Sequence, residues 1–436
     1  MGAHFVTYLR GAIVMELAIY AHPWDLRALS SHGGLARLRD LGFGEVALAA
    51  SYHAGRWLTP WDPAGLVRFL EDGTVHFRPR ADYGMLKPKV SSEVVADAPS
   101  PLEWLCDAAK QASLRVRAWA VFTHNTRLGE LHPECCVENA LGDRYHYALC
   151  PSSPHVQQYM HAMLQDLAAH DGLHTIELEA IGWMGWKHSS HHEKASFTPD
   201  ALTEWLLSLC FCAHCTEGLS EAPRVRQALA TSLRVLFAGG DAMEPLSVAS
   251  QKNGTSFAAL LPGPSDPLHE KLGDAELRFL WQHFDRRQRI ERFLHEARER
   301  VRAGRVGAAP QFALQVHPNE YFHGSQAPNS SRYGMVLGSP HERVVTCYGE
   351  GPTGIQKTLA AVTGIAVTGI AGKAIAGGNG TLRLCIHPKA PQFSSEKDLL
   401  ALRALCDQYG IRAVTIYHLG LLPWRTIERV AAALRT

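Results

Sequence analysis

Neither sign of charge is in surplus in this 436-residue chain. Lys and Arg number 43 against 42 Asp and Glu, a balance that argues against a partner such as nucleic acid or an anionic membrane. No apolar run approaches the roughly eighteen residues of a membrane span. Met1–Arg10 has no compact apolar core behind a basic start and no small-residue cleavage site, so no export signal is expected. The ten cysteines are therefore read as reduced thiols of a cytoplasmic protein. Neither a phosphate loop nor G-x-G-x-x-G follows the first apolar run, which argues against a nucleotide-binding open sheet. With 46% hydrophobic and 19% charged residues, the chain can bury a large core. Histidine, at 24 residues, is abundant.

Short β-branched runs alternate with helical patterns, the mark of βα units around a parallel sheet. Strands are expected at Val14–Tyr20, Glu45–Ala49, Val116–Phe122, Thr175–Glu179, Gln311–Val316, Arg343–Tyr348, Leu382–Ile386 and Arg412–Tyr417. Helices are expected at Gly34–Leu41, Pro101–Ala112, Val156–Ala169, Pro199–Leu209, Glu276–Val301 and Trp424–Leu434. Eight units in a chain of this length predict an α/β fold, a (β/α)8 TIM barrel forming one catalytic domain over 1–436. Long insertions follow strands 2 and 4. The first includes an extra hairpin near Val75–Phe77, and the second is an insertion or lid over 180–310. Gly239–Asp266 reads as an irregular loop and Thr363–Gly380 as a small-residue helix or loop.

Chemistry in such a barrel gathers where the strands end. Those ends carry His22, Tyr52, His53, His124, Asn125, Arg127, Glu177, Glu179, Trp183, His317, Glu320, Tyr348, Glu350, His387 and His418. Aromatic faces stack on sugar CH groups while His, Asn and Arg meet the hydroxyls, so a small saccharide or glycoside is the expected partner. Cleaving its glycosidic bond takes two carboxyl groups. Glu179 closes the fourth strand and is the leading candidate; Glu177 shares its face at period two, with pairing to a core Arg or Lys as the structural alternative. Glu350, past the sixth strand, is the first choice for the second carboxylate, followed by Glu320 past the fifth.

His124, Asn125 and Arg127 open a polar, aromatic segment read as a substrate loop, with Ser153 and Pro154 starting the next helix. His188, His191, His192 and Glu193 lack the H-E-x-x-H spacing of a helical zinc site. Cys210, Cys212 and Cys215 contain one C-x2-C step, whereas a closed zinc site takes four ligands. Cys135, Cys136 and Cys150 do not repeat the step, so buried thiols are expected and no metal or cofactor is assigned.

Tyr147–Ser152, Ile176–Trp183, His191–Lys194 and Leu209–Cys215 resemble segments of a group of bacterial TIM-barrel, glycoside-hydrolase-like proteins. The resemblance implies a barrel over about residues 15–425 and a glycosidase activity, with the acidic end of the fourth strand falling on Glu179. Well-known retaining barrel glycosidases carry the nucleophilic Glu at the end of the seventh strand, where this sequence has His387. Three functions follow in order: an O-glycosidase using Glu179 with Glu350 or Glu320; a metal-dependent hydrolase or isomerase using His22, His124, His317, His387 and His418; and a sugar-binding barrel without catalysis.

Overall fold

The computed structural model describes residues 15–31, 33–59, 66–186, 201–238, 307–316, 342–363 and 381–435, and most of 275–304. Eight parallel strands close a barrel: β1 (Glu16–Ala21), β2 (Phe43–Tyr52), β3 (Arg115–Val121), β4 (Leu173–Glu179), β5 (Gln311–Val316), β6 (Glu342–Cys347), β7 (Thr381–Ile386) and β8 (Ala413–Ile416). Each pairs with its sequence neighbour, and β1 closes the ring against both β2 and β8. The TIM barrel expected from the sequence is the fold. Its strands are nearly continuous apolar runs because one side meets the helices and the other fills the barrel.

Surrounding helices begin where local chemistry places them. Pro101–Gln111 starts with a capping box in which Ser100 accepts from the Glu103 amide and Glu103 accepts from the Ser100 amide. Ser395 and Asp398 repeat the device at Glu396–Gln408. Pro154–Ala168 starts after Ser153 as expected, but Ser153 makes no side-chain cap; its hydroxyl donates to Cys135 Sγ at 3.7 Å. Among the described residues, no helix is long and apolar enough to cross a membrane.

The βα connections shape the mouth. After β2, Gly55–Leu58 and Val67–Leu70 form a hairpin, and Thr74–Val75 adds an antiparallel strand against Ser51 and Tyr52. A Cβ at Gly55 would stand 1.9 Å from the Trp57 ring, so glycine lets that indole fold inward. After β3, the segment expected as a loop contains a helix, Thr126–Leu131, and a hairpin, Cys136–Glu138 with Arg144–Leu149. The insertion after β4 builds a second apolar cluster from Trp205, Leu206, Phe211, Val225, Leu229 and Phe284. His188, His191, His192, Glu193 and the expected loops Gly239–Asp266 and 364–380 lie outside the described residues, as do His317 and Glu320.

Candidate active site

A charged layer crosses the barrel beneath the strand ends. Arg117 donates Nε–H to Glu45 at 2.9 Å, Nη1–H to Glu177 at 3.0 Å and Nη2–H to Glu342 at 2.6 Å. Arg383 bridges Glu342 at 2.9 Å and Glu16 at 2.6 Å. Burial raises the Glu45 carboxyl's pKa, but Arg117 and Arg383 outweigh it and hold the group below its ordinary value. Glu177 also accepts from the Tyr20 hydroxyl and from Gln315 Nε2 at 2.7 Å. With Arg117, Tyr20 and Gln315 on its oxygens and no exposure, Glu177 belongs to this layer, which is the structural alternative its sequence position allows.

Glu179 sits one strand repeat above this layer. Trp119 Nε1–H donates to its Oε2 at 2.5 Å, and the side chain is 9% exposed. Burial pushes the carboxyl up to about 7, the nearby charge of Glu177 adds to this, and the Trp119 bond opposes it. Its backbone is fixed from β3: the Thr123 amide and hydroxyl both reach the Ala180 carbonyl, at 2.7 and 2.6 Å. Ala180 itself holds φ at +52°, a left-handed conformation costing about 1 kcal/mol for a residue with a Cβ. Such local cost is characteristic of sites where position matters more than stability.

Aromatic rings surround this carboxyl. Tyr20 and Tyr52 lie 4.6 and 4.8 Å from Trp119, and Tyr417 lies 6.0 Å from it. Tyr348 packs 4.4 Å from Tyr417, and His387 packs 5.6 Å from the same ring. Burial raises the Tyr52, Tyr348 and Tyr417 hydroxyls' pKa values, and the charge of Glu179 adds to each shift, so all three share its surroundings. His22 stacks on Trp24 at 4.5 Å and touches Tyr52 and Trp57 edgewise at 5.0 Å. Neither ring nitrogen of His22, nor Trp24 Nε1, has a hydrogen-bond partner among the described residues. Trp57 Nε1–H donates to His418 Nε2 at 2.7 Å. Burial pushes His418 down to about 3 and His387 to about 4, and holds His22 well below its ordinary range. These imidazoles are neutral near pH 7.

The other expected site residues divide. His53 and His124 stack at 4.1 Å beside Tyr52. Asn125 instead caps helix Thr126–Leu131, accepting from the Leu128 amide at 2.9 Å. Arg127 donates to the Lys87 carbonyl at 2.6 Å. Trp183 lines a cavity of about 370 Å³ with Ser152, His161 and Phe293. Glu350 accepts from the Thr358 hydroxyl at 2.9 and 3.0 Å. Glu342 of β6 faces the barrel, so at period two Cys347 faces the helices. Glu350 contacts that same thiol, which turns its carboxylate toward the helix layer. Tyr417, at the end of the eighth strand, joins the site, as do Trp57 and Trp119, which the sequence did not single out. A cavity of about 890 Å³ lies beside the mouth, lined by Trp24, Asp25, Leu419 and Trp424.

The Trp119 bond gives one prediction. Trp119→Phe removes the donor that favours the ionised carboxyl, so Glu179 should titrate higher. The alkaline limb of the pH–rate profile should move up by about one unit. An unmoved limb would assign it to another group.

Among the described residues, the strand-end histidines form no group of three or more ligands near enough to share an ion. The one such group is Cys150, Cys210, Cys212 and Cys215.

Fold and site together define a (β/α)8 barrel with a buried glutamate, its pKa raised by burial, ending the fourth strand. The PgaB (BpsB) glycoside hydrolase domain from Bordetella bronchiseptica is similar in structure. Its TM-score is 0.51 at 14% identity, covering 97% of this chain and 98% of that one. A β-galactosidase from the psychrophilic Marinomonas ef1 gives 0.48 at 11% identity, covering 96% and 59%. α-L-Fucosidase isoenzyme 2 from Paenibacillus thiaminolyticus gives 0.48 at 11%, covering 93% and 45%. The first of these likenesses establishes a shared barrel. No family profile matches the sequence, and no curated protein is significantly similar to it.

Proposed function

We propose that the protein hydrolyses an O-glycosidic bond, with Glu179 protonating the leaving oxygen. The observation that carries this reading is a buried carboxyl at the end of β4, raised to about 7 and walled by Trp and Tyr rings. A general acid works best when its pKa lies near the working pH, and aromatic walls suit the CH faces of a sugar. The unpartnered nitrogens of His22 and Trp24 are groups that substrate hydroxyls would satisfy. The glycoside hydrolase named for the PgaB domain adds support through the shared fold.

The second carboxylate is assigned to Glu320, which follows the strand adjacent to β4, because Glu350 is committed to Thr358. In a panel of aryl glycosides, Glu320→Gln should lower kcat by roughly 10²-fold or more. Glu350→Gln should leave kcat within about twofold and cost about 1 kcal/mol of stability. The reverse ranking would move the role to Glu350. Saturable glycan binding without turnover in the wild-type protein would replace the hydrolase with a sugar-binding barrel.

A further inference from the structure

Four cysteines distant in sequence meet behind the mouth. Cys150 ends the hairpin after β3, while Cys210, Cys212 and Cys215 lie in the insertion after β4. All four are buried. Their sulfurs lie within 4.8 Å of one another, with Cys150 Sγ at 3.4, 3.6 and 3.8 Å from those of Cys215, Cys212 and Cys210. Four thiolates about 2.3 Å from a central zinc stand about 3.8 Å apart along each edge of the tetrahedron. A disulfide would need about 2.05 Å, and a cubane cluster would hold its ligands farther apart than these sulfurs lie.

We propose that Cys150, Cys210, Cys212 and Cys215 bind one zinc ion in a closed structural site that staples the insertion after β4 to the hairpin after β3. Each thiol gives its proton to solvent on binding, leaving a tetrathiolate–zinc unit with two net negative charges. Donors are in place for that charge: the Glu138 amide reaches Cys210 Sγ at 3.4 Å, and the Ser152 hydroxyl lies 3.3 Å from Cys215 Sγ. All four positions are filled by protein, so the ion has no open site for substrate, as in structural rather than catalytic zinc centres. The stapled hairpin carries Tyr147, whose hydroxyl donates to the Gly185 and Trp186 carbonyls at 2.7 and 3.0 Å. The ion would thereby fix the chain that leaves β4 just beyond Glu179. The site rests on sulfur geometry and is independent of the hydrolase reading.

The test is metal analysis of the full-length protein purified without a metal-affinity tag. About one zinc per chain is expected, falling below about 0.1 in Cys150→Ser and Cys212→Ser, while Cys406→Ser on helix Glu396–Gln408 keeps it. Should the ligand variants fail to fold, cobalt exchanged into the wild-type protein should give the intense absorption of a tetrahedral tetrathiolate, displaced by stoichiometric zinc. Thermal unfolding should shift downward when a chelator strips the ion and recover on adding zinc. Iron with visible charge-transfer bands would overturn the choice of metal. A metal-free protein whose cobalt spectrum shows oxygen or nitrogen ligands, or a disulfide among these four residues, would overturn the site.

Discussion

Replacing Glu179 by Gln should lower kcat by roughly 10²- to 10⁴-fold on glycosides with poor leaving groups, with KM little changed. Activated aryl leaving groups, which depart without a proton, should lose less; that contrast identifies a proton donor and not a general structural lesion. Because the acid must hold its proton, wild-type kcat/KM should fall as pH rises through about 7, and the variant should lack that limb. Stability should move the same way. The carboxyl titrates near 4.3 in an unfolded chain and near 7 in the folded one. The folded state therefore tolerates the protonated form, and stability is lost as pH rises from about 4 through about 7. Relief of that cost gives Glu179→Gln a gain of up to about 3 kcal/mol at pH 8 that vanishes near pH 4. Urea unfolding at the two values measures it. Equal midpoints at pH 8 would mean the carboxyl is solvated, and the case for a tuned acid would fail with them.

The barrel was legible because a parallel sheet leaves strong local traces. Gln311–Val316 is a strand with the expected bounds, and the other seven differ by a few residues at their ends. Glu179 was legible as a candidate because it closes a strand, where position and chemistry coincide. Trp119 escaped notice because the run Arg-Val-Arg-Ala-Trp-Ala-Val is apolar on both faces toward its end, and nothing local tells a core indole from one holding a carboxylate. Glu350 is conspicuous as a strand-end acid, but the turn after Cys347 brings it onto Thr358, a contact nothing in the local sequence announces. Asn125 and Arg127 likewise spend their hydrogen bonds on nearby backbone. The four-cysteine cluster needs the tertiary fold, since Cys150 lies sixty residues from Cys210. Helices Pro352–Thr363 and Glu396–Gln408 were not anticipated, although Ser395 and Asp398 stand at capping-box spacing ahead of the second.

The charged layer under the mouth carries the largest expected effect on folding. Arg117 and Arg383 face Glu45, Glu177 and Glu342, all buried, so the layer already holds one more negative charge than positive; Tyr20, Gln315 and the half-exposed Glu16 with its Arg115 partner complete its bonding. Arg117→Met keeps the volume but strips a donor from three carboxylates at once. Removing one partner from a buried ionic group typically costs about 3–5 kcal/mol, and here Arg383 would be left to answer Glu45 and Glu342 as well as Glu16. The loss should depend on pH with a definite sign. Glu45 titrates below its ordinary value because of Arg117 and Arg383, so its contribution is present above that ordinary value and is lost as pH falls through the depressed one. In the variant Glu45 should protonate more readily, and the gap to wild type should narrow between pH 7 and pH 4. Adding Glu45→Gln and Glu177→Gln to Arg117→Met should recover part of the loss at pH 7, because the orphaned charges go with the arginine. A single variant within about 1 kcal/mol of wild type at pH 7 would show that the layer is solvated or rearranges freely. Glu179 could not then be held rigidly above it, and its raised pKa would need another source than a dry, fixed barrel interior.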